Sequence, residues 1–216
     1  MKLNKNNILF LVLLFFAASL NQVHAQPRDN DTKLANHYFN KGEFGKAEEY
    51  YKKVYRKYQH SVYFERYYLC LFYQKKFDDA EKLCEKQIKR DPFDIEVKFM
   101  LGQVYEETER DEEADKLYKS MIDDVGAIQG RIQSLGKAFK VRGKYEYALQ
   151  TFLKGRKLIK HGYQFQLELA EVYSLLDQQD KMIEEYLNLL DYSTVYLHTV
   201  QTYLSRIINL YLIHIS

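Results

Sequence analysis

Tryptophan is missing from this 216-residue chain, proline and cysteine occur twice each, and glycine only nine times. Two prolines leave room for long uninterrupted helices. Two cysteines exclude a disulfide-dense scaffold. No charge excess exists either, since 32 Lys and Arg face 30 Asp and Glu. The short basic runs, Lys52-Lys53, Lys75-Lys76 and those between Lys154 and Lys160, alternate with apolar helix positions, so no phosphate-attracting surface and no nucleic-acid partner is expected. Motifs that carry chemistry are also missing. His37, His60, His161, His198 and His214 stand singly, without an H-E-x-x-H, a spaced Cys/His set, a phosphate-cradling glycine loop or a G-x-S-x-G. The acidic pairs Asp78-Asp79 and Glu112-Glu113 fall at helix starts, where they favour the helix dipole. No catalytic, metal or cofactor site is therefore expected.

What the chain does have is 46% hydrophobic residues, 20 tyrosines and 13 phenylalanines, enough to build an extensive core. Its longest apolar run lies at the start. Ile8 to Leu20 follows Lys2 and Lys5 and precedes Val23-His24-Ala25. At 13 residues it makes about 20 Å of helix, too short for a bilayer core of roughly 30 Å. Residues 1–25 thus read as a secretory signal cleaved after Ala25, which implies a periplasmic or extracellular protein, bacterial in the style of its signal. No cysteine follows the cleavage point to carry a lipid, and no stable membrane span remains. Removing Lys2 and Lys5 takes away two of the 32 basic residues and leaves the remainder formally neutral.

Beyond that segment the sequence repeats. Ala47, Ala80, Ala114, Ala148 and Met182 recur every 33 or 34 residues, and one helical turn after each stands Tyr51, Cys84, Tyr118, Phe152 or Tyr186. Earlier in each unit a pair is followed three positions later by a large residue: Leu34-Ala35 with Tyr38, Tyr67-Tyr68 with Leu71, Leu101-Gly102 with Tyr105, Leu135-Gly136 with Phe139, Leu169-Ala170 with Tyr173. Each unit therefore holds two amphipathic helices joined by a short polar turn. Small residues let the two backbones approach while large ones fill the seam to the next unit. The constant period, with breaks every 15 to 20 residues, argues against a heptad coiled coil.

This pattern, L-G-x-x-Y followed by A-x-x-x-F/Y, resembles the tetratricopeptide repeat, with repeats three and four matching best and Tyr68, Cys84 and Met182 departing from it. Five repeats are expected within residues 26–196, at about 28–60, 61–94, 95–128, 129–162 and 163–196. The resemblance implies an all-α fold, a right-handed superhelical solenoid of antiparallel helix pairs. It also implies a non-catalytic scaffold or adaptor whose first helices line a groove for a peptide segment or helix of a protein partner. The alternative is the recognition or assembly module of a larger complex, enzyme or sensor whose active part lies elsewhere.

On that reading the groove residues are those of each first helix that the packing set leaves over: Asn36, Phe39 and Asn40, then Glu65, Leu69, Phe72 and Tyr73, then Phe99, Gln103, Glu106 and Glu107, then Gln133, Lys137, Lys140 and Glu171. If Phe39, Phe72, Tyr73 and Phe99 each expose roughly 100 Å², they form a patch of about 400 Å², near the most that a monomer tolerates. Covering it gives about 10 kcal/mol gross and, after ordering costs, binding near the micromolar range. Glu106 and Glu107 are expected to pair with Lys137 and Lys140 rather than to meet a ligand. The carboxylate clamp known in some repeats of this type is not supported: Asn36 fits, but Thr32 stands where a lysine would be needed and Arg66 where a second asparagine would.

Cys70 and Cys84 fall on the two helices of repeat two. A bridge would close a loop of about 15 residues, worth roughly 3 kcal/mol, but Cys84 sits in a packing slot, which favours two buried thiols. Residues 197–216 read as one more first helix without its partner, with Val200, Leu204, Ile207, Ile208 and Tyr211 on one side. The expectation is that the chain is the front part of a longer exported repeat protein, or that a second copy covers this apolar edge.

Overall fold

The computed structural model describes residues 30–205, and helices dominate them. In chain order these are α1 (Asn30–Asn40), α2 (Phe44–Tyr58), α3 (Ser61–Tyr73), α4 (Phe77–Arg90), α5 (Ile95–Glu107), α6 (Asp111–Asp123), α7 (Gln129–Val141), α8 (Tyr145–Leu158), α9 (Gln166–Leu175) and α10 (Gln179–Tyr192), then a single 3-10 turn (Thr194–Tyr196). Helical backbone resumes over residues 197–205. No strand occurs among the described residues, so the class is all-α, a succession of helix pairs. The expected signal segment 1–25 and the end of the terminal helix, with Ile207, Ile208 and Tyr211, lie outside the described residues.

One turn joins the two helices of every pair. The N–H after the turn donates back to the carbonyl of the large residue that ends each first-helix motif: Glu43 to Tyr38 at 2.9 Å, Lys76 to Leu71 at 2.9 Å, Arg110 to Tyr105 at 2.8 Å, Lys144 to Phe139 at 3.0 Å and Gln178 to Tyr173 at 2.9 Å. This six-to-one bond closes a Schellman-type helix end and requires one left-handed residue. Gly42 and Gly143 supply it at φ 74° and 72°, while Lys75, Glu109 and Asp177 adopt it at 58°, 58° and 56°. The period read from side chains is thus also a period of the backbone. Other ends follow local rules. The Asp94 carboxylate caps α5 by accepting from the Val97 N–H at 3.1 Å, and α2 stops at left-handed Gln59.

The contacts divide the chain into two units, one through Lys86 and one from Gln87. In the first, Ala35, Ala47, Tyr51 and Cys70 form a core flanked by Tyr38, Phe39, Phe44, Tyr50, Tyr63 and Tyr67. Repeat two exchanges its volumes: the large Tyr68 sits on the first helix and the small Cys84 on the second, and both are buried. Cys70 and Cys84 are buried and unbridged. Burial pushes the Cys70 thiol up to about 12, which keeps it an uncharged packing group.

In the second unit a continuous core runs from Phe99 through Tyr118, Ile132, Phe139, Phe152 and Leu169 to Tyr186 and Val200. Its glycines are spacers. A Cβ on Gly102 would lie 2.3 Å from the Tyr118 hydroxyl, and one on Gly136 would lie 2.3 Å from Phe152 Cζ. The small-for-large contact inferred from the repeat is therefore direct in repeats three and four. A half-buried ion pair links α8 and α10: Arg156 holds the buried Glu185 with two bonds of 2.8 and 2.6 Å and donates its Nε to the Gln164 carbonyl at 3.0 Å. The start of the terminal helix packs on the last pair, with Val200 buried and Tyr203 stacked on Tyr186 at 5.6 Å between centroids.

Candidate functional site

In the first unit the candidate residues lie on α1 and α3, which touch through aromatic and cationic side chains. The Arg66 guanidinium lies 4.6 Å over the Phe39 ring, whose other neighbours are Phe44 at 5.4 Å and Tyr51 at 5.9 Å, both edge-on. In the sequence Arg66 stands out only as a misfit to a carboxylate clamp; its stacking on Phe39 has no signal in spacing alone. Tyr73 lies against Phe44 at 4.7 Å and remains 54% exposed. Phe72 is half-buried between Tyr68 and Phe77, each 5.6 Å away, and Leu69 is half-buried beside it. Asn36 and Asn40 are exposed. The Asn36 side-chain oxygen accepts from the Tyr51 hydroxyl at 2.6 Å, and burial pushes that phenol up to about 12. The result is a surface of aromatic edges between two amide side chains, with one cation on it.

The second unit differs from what the sequence suggested. Phe99 is 4% exposed and belongs to the core, with Phe139 edge-on at 4.9 Å, Tyr118 at 5.8 Å and the Arg142 guanidinium 4.2 Å over its ring. It is not available to a partner, which corrects its assignment to the groove. The reason is geometric. α5 buries Val97, Lys98, Phe99, Leu101, Gly102 and Val104, a stripe far wider than one face, because it is packed on several sides at once.

The ion pairs also differ. Glu106 pairs with Lys144 and accepts from the Tyr118 hydroxyl at 3.2 Å, while Lys140 pairs with Glu171. The expected partners of Glu106 and Glu107, Lys137 and Lys140, do not serve them. Gln133 donates to Glu168 at 2.7 Å, and Tyr203 donates to Glu171 at 3.2 Å. These bonds join side chains of α5, α7 and α9 to their neighbours and occupy most of the polar groups counted as groove residues. Gln103 and Lys137 are exposed, and Lys137 has no ion pair among the described residues.

No cluster of three metal-ligating side chains occurs among the described residues, and no described helix is long and apolar enough to cross a membrane. The raised tyrosines are structural: Tyr118 and Tyr163 are pushed above the usual phenol range first by burial and then by the carboxylates they donate to, Glu106 and Glu168.

The tetratricopeptide repeat family model matches residues 32–56 and 95–122, which are hairpins one and three, whereas the motif residues fit best in repeats three and four. Among solved structures the chain is similar to a tetratricopeptide repeat protein from Parabacteroides merdae, at 17% identity over 74% of this chain, with a TM-score of 0.41. It spans 64% of that protein's length. It is also similar to a thermophilic repeat protein from Thermus thermophilus, at 14% identity over 83% of this chain and 98% of the other, TM-score 0.38. A third is MamA from Desulfovibrio magneticus, at 14% identity over 74% of this chain and 92% of the other, TM-score 0.39. A search of curated proteins returned no match. The family model thus matches two hairpins, and all five share one turn and one slot pattern, which supports a tetratricopeptide repeat protein.

Proposed function

We propose that the chain is a non-catalytic protein-interaction scaffold, exported through its N-terminal segment, that holds a peptide segment or helix of a protein partner. The repeat family supports the general role of binding proteins. The observation that carries the finer reading is the exposed aromatic surface on α1 and α3, where Tyr73 and the half-buried Phe39, Leu69 and Phe72 lie beside Asn36 and Asn40. Such a surface offers apolar contact, and amides that can bond an extended backbone.

With Phe99 in the core, the apolar patch shrinks from four aromatics to Phe39, Phe72 and Tyr73 with Leu69. At roughly 100 Å² for each ring it is about 300 Å², worth about 7.5 kcal/mol gross, so affinity in the high micromolar range is expected. The test is capture of a partner from cell-envelope extract by the full chain and by Phe72→Ala/Tyr73→Ala. Loss of the captured protein in the double variant, with an unchanged far-ultraviolet circular dichroism spectrum, supports the assignment. Undiminished capture rejects it.

A further inference from the structure

The second unit contains a cavity of about 290 Å³ where α6 ends and α7 begins, beside the start of α5. Its floor is apolar and comes from Ile95, Met121, Val125 and Leu135, of which the last three are buried. Its rim is exposed and polar, and carries Asp124, Arg131 and Ser134. Lys98 also lines the cavity, but its ammonium reaches water, so its stem serves as wall while its charge stays solvated. A recess with an apolar floor and a few polar groups at its mouth has the composition of a small-molecule site.

The rim holds both signs of charge, and they do not neutralise each other. Asp124 and Arg131 line the same cavity, yet among the described residues neither makes an ion pair. Arg131 is positioned instead by the Phe93 ring, 5.4 Å from its guanidinium. The helix ends set the same polarity. Asp124 closes α6, where the carbonyl end of a helix favours a cation, and Arg131 stands in the first turn of α7, where the N–H end favours an anion. The volume corresponds to about ten waters at about 30 Å³ each, close to the size of leucine. From the apolar floor, the rim of both signs and this size, we infer that the cavity binds a free aliphatic α-amino acid, its side chain against Met121, Val125 and Leu135, its ammonium at Asp124 and its carboxylate at Arg131. A simple acid would bring its charge up to the Asp124 carboxylate with nothing to offset it. A simple amine would meet Arg131 in the same way.

L-leucine, glycine, leucinamide, which lacks the carboxylate, and N-acetyl-leucine, which lacks the ammonium, are titrated calorimetrically into the full chain and into the variants Asp124→Asn and Arg131→Gln. The expected result is saturable leucine binding at least about tenfold tighter than that of the other three. Asp124→Asn should weaken leucine by about tenfold or more and leave N-acetyl-leucine unchanged, whereas Arg131→Gln should weaken leucine as much and leave leucinamide unchanged. Both positions are exposed, so unchanged melting temperatures keep loss of binding separate from loss of fold. The proposal is overturned if leucine shows no saturable binding, if glycine binds as well and the apolar floor is idle, or if either variant retains full affinity. Leucinamide or N-acetyl-leucine binding as tightly as leucine would assign the cavity to a peptide end and overturns the free-amino-acid assignment.

Discussion

Replacing Gly136 by alanine inverts an otherwise reliable rule. In the interior of a helix the change from glycine to alanine gains about 1 kcal/mol, because alanine loses less backbone freedom on folding. Gly136 is interior to α7, but the added Cβ would stand 2.3 Å from Phe152 Cζ and 2.6 and 2.7 Å from two further ring carbons. Carbon atoms in contact sit about 3.5 Å apart or more, so the ring would have to retreat by about 1 Å. Phe152 is fully buried, with Phe165 at 5.9 Å on its other side, so the retreat is opposed. Overpacking of this kind costs about 1–3 kcal/mol, and a blocked ring belongs at the upper end. The net effect expected is destabilisation by about 2 kcal/mol, a fall in melting temperature of about 4–8 °C for a domain of this size.

Gly130 provides the control within the same helix, since nothing lies within 4 Å of a Cβ built there and its φ is not in the left-handed region. Gly130→Ala should raise the melting temperature by about 1–2 °C. Scanning calorimetry of both variants, and of Gly136→Ala combined with Phe152→Leu, separates the contributions. The combined variant should recover part of the loss, a coupling of about 1 kcal/mol or more. Should Gly136→Ala melt at or above the parent temperature, the close approach of α7 and α8 is not what holds this glycine in place.

Glu109→Gly places at the third turn the residue that the first and fourth turns already carry, and relief of the left-handed strain should add about 1 kcal/mol in urea denaturation; Gly143→Ala should subtract a similar amount. Arg156→Met leaves the Glu185 carboxylate buried without its partner and should cost about 3–5 kcal/mol, most of it recovered in Arg156→Met/Glu185→Met. Alkaline pH should destabilise the fold. The Tyr51 phenol is held up to about 12 by burial, whereas in the unfolded chain it ionises near 10. Between these values the unfolded state has fewer bound protons, so stability is full below about pH 10 and falls by about 1.4 kcal/mol per pH unit for this group. Urea midpoints at pH 8 and pH 11 check it, and equal midpoints would contradict the burial of these phenols.

The repeat was legible because it rests on contacts that a period must preserve. Gly136 and Phe152 recur as Gly102 and Tyr118 one unit earlier, and the same steric contact forces both choices. Even the departures were informative: Tyr68 with Cys84 conserves volume by exchanging it between helices. The turn was partly legible, since Gly42 and Gly143 marked it, while Lys75, Glu109 and Asp177 concealed the same conformation behind side chains that rarely adopt it. The partners of charged residues were not legible. Glu106 reaches Lys144 across 38 positions, a choice set by how long side chains lie over neighbouring helices rather than by spacing within one.

Phe99 shows why the groove itself was harder to read than the fold. Assigning one face of a helix to the core and the other to a partner presumes an amphipathic stripe, the pattern of a helix covered on one side. α5 is covered by its own second helix α6 and, through Phe99, by Phe139 of α7, and three consecutive residues, Val97, Lys98 and Phe99, are buried in it. A first helix inside a stack therefore shows its partner only a narrow strip, and large apolar residues within it are more often seam than surface. Tyr73, still 54% exposed, escapes such a seam, which makes it rather than Phe99 the residue left for contact with a partner.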